Sequence, residues 1–362
     1  MTSPVAISLF SGAGGLDLGV EQAGFVVRAA VEHDRDACAS LRANFPHLRV
    51  LQGDIRHITT AELLAAAGVK AGDVPLIVGG PPCTPFSKSG YWLEHKRHGL
   101  DPEASLLEHY VRVLDEARPQ MFLLENVFAL AYANANRPWL EFLLESFDRM
   151  GYAVTQQAML AADFGVPQRR QRLVIVGSLE GQPALPEPTH TGPHERRVWT
   201  AAGRQAHVTS RDAIGDLEHR DDLAEPGEEV GGKYGHLLPD IPPGDNYLFY
   251  TAKRGHPQPL FGWRKRYWNF LLKLDPEQPS PTIQAQPGPY VGPFHWSNRR
   301  LRLLEIKRLQ TFPDDFQICG SRRSAQRQVG NAVPPLLARR IAETLRSGRH
   351  AEPAPTQLAF AA

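Results

Sequence analysis

The stretch Gly79-Gly80-Pro81-Pro82-Cys83-Thr84-Pro85-Phe86-Ser87 holds the best-placed nucleophile of the chain. Two prolines restrict the backbone ahead of Cys83 and donate no hydrogen bonds, so the loop they open is stiff. A cysteine kept for packing sits more naturally inside a strand or helix. A fixed, reachable thiol just beyond a strand is what covalent catalysis needs. Further on, Glu125 follows the apolar run Met121-Phe122-Leu123-Leu124. An acid at that place either pairs structurally or handles a proton on a substrate. Gln168-Arg169-Arg170-Gln171-Arg172 precedes another apolar run, 173–176. At a strand start, Arg170 and Arg172 would point the same way; the alternative is an ordinary cluster of surface charge.

A second constellation lies near the N-terminus. Ser8-Leu9-Phe10-Ser11-Gly12-Ala13-Gly14-Gly15-Leu16-Asp17-Leu18-Gly19 runs from a strand through a glycine turn into a helix. Glycines let backbone amides approach a ligand, and a helix N-terminus favours an anionic group. Glu32 follows the next strand, about 20 residues beyond the glycines, where an acid can bind ribose hydroxyls. Asp17 stands where GxGxxG requires its third glycine, which weakens a dinucleotide reading and leaves room for a nucleoside without pyrophosphate. The loop also reads as a plain structural turn, and Asp54, just after the third strand, as a helix cap. Their value comes from succession: loop, Glu32 and Asp54 each follow a successive strand.

These residues must be held by something, and the first half of the chain supplies it. Strands are predicted over 6–10, 26–32, 48–53, 75–78, 121–124 and 173–176. Helical segments lie around 21–23, 36–44, 61–67, 106–116 and 139–150. Such alternation predicts an α/β fold with a parallel sheet, helices on both faces and ligands at the carboxyl ends of the strands. From about 180 to 295 the alternation stops, and Pro, Gly, His and aromatic residues become dense, as in Gly262-Trp263-Arg264-Lys265-Arg266-Tyr267-Trp268. That is too aromatic for a solvated linker and predicts a second, irregular domain. Helical pattern returns over 303–310 and 336–345, and 347–362 reads as a flexible tail.

Charge is nearly balanced at +1, but 101–160 carries −5 and 260–330 carries +7. A basic C-terminal third could face phosphate, although charge alone favours the plainer reading of a solvated surface. No apolar run approaches the ~20 residues of a membrane span, and no signal peptide is expected. Cys38, Cys83 and Cys319 form no CxxC, so neither a disulfide framework nor a metal site is expected; a reducing cytoplasm fits.

Taken in order, these motifs resemble those of bacterial DNA (cytosine-5-)-methyltransferases over nearly the whole chain. Phe10 to Gly15 is similar to the first cofactor motif, and Glu32 and Asp54 match its ribose and adenine contacts. Pro81-Pro82-Cys83 is similar to the nucleophile motif, Glu125-Asn126-Val127 to the motif that binds cytosine N3, and Gln168 to Arg172 to the QxRxR motif. Pro279-Ser280-Pro281-Thr282-Ile283 resembles the exit from the target-recognition region. Arg299 to Phe316, with Glu305 and Leu309-Gln310-Thr311-Phe312-Pro313-Asp314, resembles the motif supporting the small domain. Gln328-Val329-Gly330-Asn331-Ala332-Val333-Pro334 matches the last motif. Amino-group methyltransferases carry an aromatic residue after the two prolines; the thiol here favours attack on carbon. Three positions depart from the family pattern: Ser8 for aspartate, Thr84 for glutamine and Gln171 for glutamate.

The resemblance implies a Rossmann-like S-adenosylmethionine-dependent methyltransferase sheet over 1–180, rejoined by 325–346, with a smaller target-recognition domain over 181–324. It implies S-adenosyl-L-methionine as cofactor, held by Phe10, Gly12, Ala13, Gly14, Gly15, Leu16, Glu32, His33, Asp54, Ile55, Pro82, Asn331 and Ala332, with no metal. It makes Cys83, Glu125, Arg170 and Arg172 the catalytic set and Thr84, Ser87, Arg264, Lys265 and Arg266 the DNA contacts. The implied partner is double-stranded DNA near the bacterial nucleoid, with a restriction endonuclease as possible functional counterpart. An RNA cytosine-5 methyltransferase on the same fold is a rival, but the long aromatic 181–295 segment suits a DNA reader. A catalytically inactive DNA-binding relative would have lost Cys83 or Glu125. A dinucleotide-dependent oxidoreductase would leave Pro-Pro-Cys without a task.

Overall fold

A computed structural model describes residues 3–82, 106–133, 136–192, 203–264 and 267–349. Cys83, Thr84, Ser87, Lys265 and Arg266 lie outside the described residues. The chain divides into two compact units. The first comprises Met1–Met159, Gln171–Glu187 and Leu337–Ala362; the second comprises Leu160–Arg170 and Pro188–Leu336.

The first unit is the expected α/β alternation. In order it contains β1 (Val5–Leu9), α1 (Gly15–Gln22), β2 (Val26–Glu32), α2 (Arg35–Asn44), β3 (Arg49–Gln52), α3 (Thr60–Ala67), β4 (Leu76–Gly79), α4 (Leu106–Ala117), β5 (Met121–Val127), α5 (Ala129–Tyr132) and α6 (Arg137–Arg149). β6 (Ala153–Leu160) follows; β7 (Gln168–Arg169) belongs to the second unit, and β8 (Gln171–Ser178) returns to the sheet. The strand order is β3-β2-β1-β4-β5-β8-β6. Strands β1 to β5 pair in parallel, as short strands linked by helical crossovers must. β8 runs antiparallel to β5, with Glu125 opposite Val174 and Val127 opposite Arg172. The sheet is therefore mixed rather than parallel.

The helices obey local rules. Gly14 opens α1 at φ 83°, a backbone that glycine adopts freely, and a β-carbon there would stand 2.8 Å from the Phe45 ring. The Asp34 side chain caps α2 by accepting from the Ala37 amide, and Thr59 with Glu62 forms a capping box on α3. α4 buries Leu107, Tyr110, Val113, Leu114 and Ala117, one helical face, against the sheet core of Ile7, Leu9, Ile77, Phe122 and Leu124.

The second unit has short 3-10 turns and two-residue strands, and its own core is aromatic. Tyr247, Tyr250, Leu248, Leu271 and Phe294 are buried there, and the rings of Tyr234, Phe270 and Tyr247 meet Phe261 or one another edge-on or tilted. Such ring pairs contribute about 0.5–1.5 kcal/mol each beyond area burial, so this core needs no long strands; α-helices in this unit are Ser210–Ile214, Leu303–Leu309 and Arg322–Asn331. Residues 160–170 and 325–336 fold with this unit, although the sequence reading groups them with the first. The cause is side-chain tethering. Buried Gln168 donates to the Leu309 carbonyl and to Gln310 Oε1, and its own oxygen accepts from the Ile283 amide.

Candidate active site

β4 and β5 lie side by side in register, Gly79 opposite Leu124, so the Pro81-Pro82 turn and Glu125 emerge at the same edge of the sheet. Gly79 is required there: a β-carbon would stand 2.8 Å from the Tyr110 ring, whose hydroxyl donates to the Leu123 carbonyl. Glu125 lies within β5 rather than beyond its end, because the strand continues to Val127 in pairing with β8. It is 8% exposed, and Oε2 lies 3.4 Å from where a β-carbon of Gly80 would be. Arg172 on β8 brings Nε to 2.9 Å from Glu125 Oε1. The approach is off-line, so it is an ion pair, and Oε1 is left without a hydrogen-bond donor. An acid held within β5, beside Gly80 ahead of the two prolines and with an acceptor unused, is arranged for a polar ligand.

Asn126 was not singled out as a site residue, yet it ties these parts together. Its Nδ2 donates to the Pro81 carbonyl at 3.3 Å, and its Oδ1 accepts from the Val127 amide. It thereby holds the backbone at Pro81, two residues before Cys83 in sequence. Only its neighbour Glu125 marked the position in sequence.

Arg170 and Arg172 do not point the same way. The chain leaves the extended form at Arg170, whose amide donates to the Gln168 carbonyl two residues back, so strand alternation does not apply across the break. Arg170 is 2% exposed and donates from Nη1 and Nη2 to the carbonyls of Gly330 and Asn331. Arg172 alone reaches Glu125.

The glycine turn meets the end of β2. The Glu32 carboxylate accepts from the Gly12 amide and from the Asp34 amide, each at 2.7 Å, which fixes its plane and leaves lone pairs for a diol. Phe10 at φ 57° and Gly12 at φ 56° turn the loop, and nothing lies within 4 Å of a Gly12 β-carbon position. Ala13, Gly14, Gly15 and Leu16 are buried, and His33 is exposed. Asp54 is gripped by Arg56, whose hydrogen bonds hold its carboxyl down at about 2. Arg112, also missed in sequence, donates to the carbonyls of Ile55 and Ile58 and holds the turn after β3. Pro82 is half-buried in the first unit; in the second, Asn331 is exposed and Ala332 half-buried. Arg264 is exposed, its backbone held by the Tyr247 hydroxyl. Among the described residues no group of His, Cys, Asp or Glu is arranged to hold a metal, and no helix is long and apolar enough to cross a membrane.

Comparison with known proteins shows the family to which the chain belongs. Residues 5–347 match the family model of the C-5 cytosine-specific DNA methylases. The chain belongs to that family. It is 46% identical over 362 residues to the type II methyltransferase M.SacI of Streptomyces achromogenes, covering 94% of this chain and 92% of the relative. It is 35% identical over 349 residues to M1.HphI of Haemophilus parahaemolyticus, covering 94% and 86%. Its fold is similar to that of the S. pombe Dnmt2 methyltransferase, with a TM-score of 0.59, 14% identity and coverage of 95% and 99%. The protein is thus a cytosine-5 DNA methyltransferase with the mixed α/β sheet of its family, which uses S-adenosylmethionine. The residues present fit that cofactor: Glu32 offers a fixed diol acceptor, and Gly12 leaves the space above the turn open.

Proposed function

We propose that this methyltransferase acts on cytosine in double-stranded DNA through Cys83 and Glu125, with the base rotated out of the stack. Duplex stacking shields C6, and only an extruded base can reach a thiolate. Cys83 adds to C6 while Glu125 engages N3, so the ring electrons move toward C5. S-adenosylmethionine, when bound, supplies an electrophilic methyl group. C5 accepts it and loses its proton, and the electron pair returns to expel Cys83. Arg172 keeps Glu125 oriented, and Arg170 braces the Gly330–Asn331 turn. Glu32, with the glycine turn, His33, Asp54, Ile55 and Pro82, would hold the cofactor with Asn331 and Ala332.

The observation that carries this reading is Glu125 fixed at the sheet edge between Gly80 and Arg172, with Asn126 holding the turn into the thiol. Cys38 is a poor rival nucleophile: burial pushes its thiol up to about 11, and Sγ donates to the Glu32 carbonyl. The aromatic second unit would read sequence, with Arg264, Lys265 and Arg266 on phosphates and Thr84 and Ser87 beside the base. A restriction endonuclease of the same specificity is the expected functional counterpart, in a bacterial cytoplasm.

DNA carrying 5-fluorocytosine at the target tests this directly. Addition at C6 and methylation at C5 both proceed, but fluorine cannot leave as a cation, so the Cys83–C6 bond persists. A covalent adduct is expected only with S-adenosylmethionine present, and peptide mass spectrometry should place it on Cys83. An RNA enzyme would trap the analogue in RNA and spare duplex DNA; an inactive binder would trap neither. An adduct on Cys38 or Cys319 would overturn the mechanism.

A further inference from the structure

Asp17 is a buried acid that the proposed reaction leaves unused. It lies in the first turn of α1, three residues past Gly14, and is 0% exposed. Neither Oδ1 nor Oδ2 has a well-formed hydrogen bond; the Ser8 hydroxyl and the residue's own backbone amide offset the cost of burying the carboxyl only in part. The neighbouring hydroxyl is that of Ser8, which accepts from Ser11 Oγ at 2.7 Å beneath the glycine turn. The charges that act on it most are Glu21, on its own helix, and Glu32, at the end of β2; both are negative. β1 and β4, beneath the loop, carry no charged residue, and Glu21 is itself paired with His47. Burial first, then Glu21 and Glu32, push the Asp17 carboxyl up to about 7, against the Ser8 hydroxyl and a backbone amide.

Ser8 stands where the resembled family usually has aspartate; in this chain the strand offers no acid there, and the buried acid of the loop region is Asp17 on α1. We propose that Asp17 supplies from α1 the negative charge missing at position 8, and that this charge favours cationic S-adenosylmethionine over its neutral product. The inference rests on the cofactor site proposed above. S-adenosylmethionine carries a sulfonium, an ammonium and a carboxylate, net +1. Methyl transfer leaves a thioether, and S-adenosylhomocysteine is neutral overall. An ionised Asp17 attracts the first and is indifferent to the net charge of the second; a protonated Asp17 separates neither. Asp17 acts through the loop without touching the ligand, and is therefore a positioning residue that assists exchange of product for fresh cofactor.

Two unit charges roughly 10 Å apart, at an effective dielectric between about 20 and 80, shift an equilibrium about two- to fifteen-fold. The measurement is isothermal titration calorimetry of both compounds on the full cofactor-free chain at pH 6, 7 and 8.5. The readout is the ratio of the two dissociation constants, in which the titration of the shared amino group largely cancels. In the wild type the preference for S-adenosylmethionine should grow about two- to fifteen-fold over that range. Asp17→Asn should keep a flat ratio, and Ser8→Asp combined with Asp17→Ser, which returns the carboxyl to the strand, should restore the rise. A flat wild-type ratio, or a rise that survives in Asp17→Asn, overturns the proposal. If Asp17→Asn does not fold, a flat ratio in the double variant does the same. Failure of both compounds to bind the wild type would instead refute the cofactor site.

Discussion

Separate alanine substitutions at Arg170 and Arg172 should fail in different ways, although the two residues share one motif. Arg170 is 2% exposed and holds the Gly330 carbonyl at 2.9 Å and the Asn331 carbonyl at 3.2 Å. A hydrogen bond from a charged donor contributes about 1.5–3 kcal/mol. Losing two, with a cavity left behind, should cost about 3–5 kcal/mol. The Asn331 carbonyl belongs to an exposed residue and can rehydrate, which places the expectation toward the lower end. Arg170→Lys keeps a charge but one donor head in place of a planar fork, and should recover about half. Arg172 differs: its side chain is 14% exposed, and its contact with Glu125 is an off-line ion pair. Stability should change by about 1 kcal/mol or less, whereas a misplaced Glu125 should slow methyl transfer about 10²-fold. Urea unfolding and single-turnover methylation, measured on the same preparations, separate the two effects. An Arg170→Ala protein within about 1 kcal/mol of wild type but inactive would refute the bracing role.

Two further outcomes follow from the same geometry. Glu125→Gln should retain cofactor and DNA binding but lose about 10²- to 10⁴-fold in single-turnover rate, because the amide delivers no proton to N3; an unchanged rate would remove Glu125 from the chemistry. For Asp17, burial lifts the carboxyl from 3.8 to about 7, so the folded chain keeps a proton that the unfolded chain releases. Stability therefore falls as pH rises from about 4 to about 7 and is level above that. Asp17→Asn lacks this proton, and between pH 5 and 8.5 the wild type should lose about 2–3 kcal/mol more than the variant, at about 1.4 kcal/mol per pH unit. Urea curves that run parallel across that range would show that Asp17 does not titrate in the fold.

What sequence made legible here was local, and what it hid was long-range. Periodicity marked β2 at 26–32 and the helical faces of α2 and α4, because those patterns repeat within a few residues. It did not show β6, whose central Gln156 and Gln157 are exposed and break the apolar signal. Nor could it show that β8 runs antiparallel, since pairing direction depends on where a chain returns after leaving the sheet. The second unit announced its aromatic density, but edge-on packing of Tyr234, Phe261 and Phe270 has no period to read.

The candidate site divides along the same line. Glu125, Glu32 and the glycine turn could be named because each lies in or directly after a strand whose own apolar residues reveal it. The tethering roles of Asn126 and Arg112 could not, for they exist only through carbonyls 45 and 57 residues away in sequence. Arg170 shows the intermediate case. Its type and spacing identified the motif, but its direction depended on a turn at Gln168 and on carbonyls 160 and 161 residues downstream. A motif thus fixes which chemical groups are present, and the tethers decide which of them face the reaction. In this chain one tether, Asn126 to Pro81, lies at the entrance to the thiol's loop. The role proposed for Cys83 therefore calls on Asn126 at Pro81, two residues before it in sequence, as well as on the motif that names the cysteine.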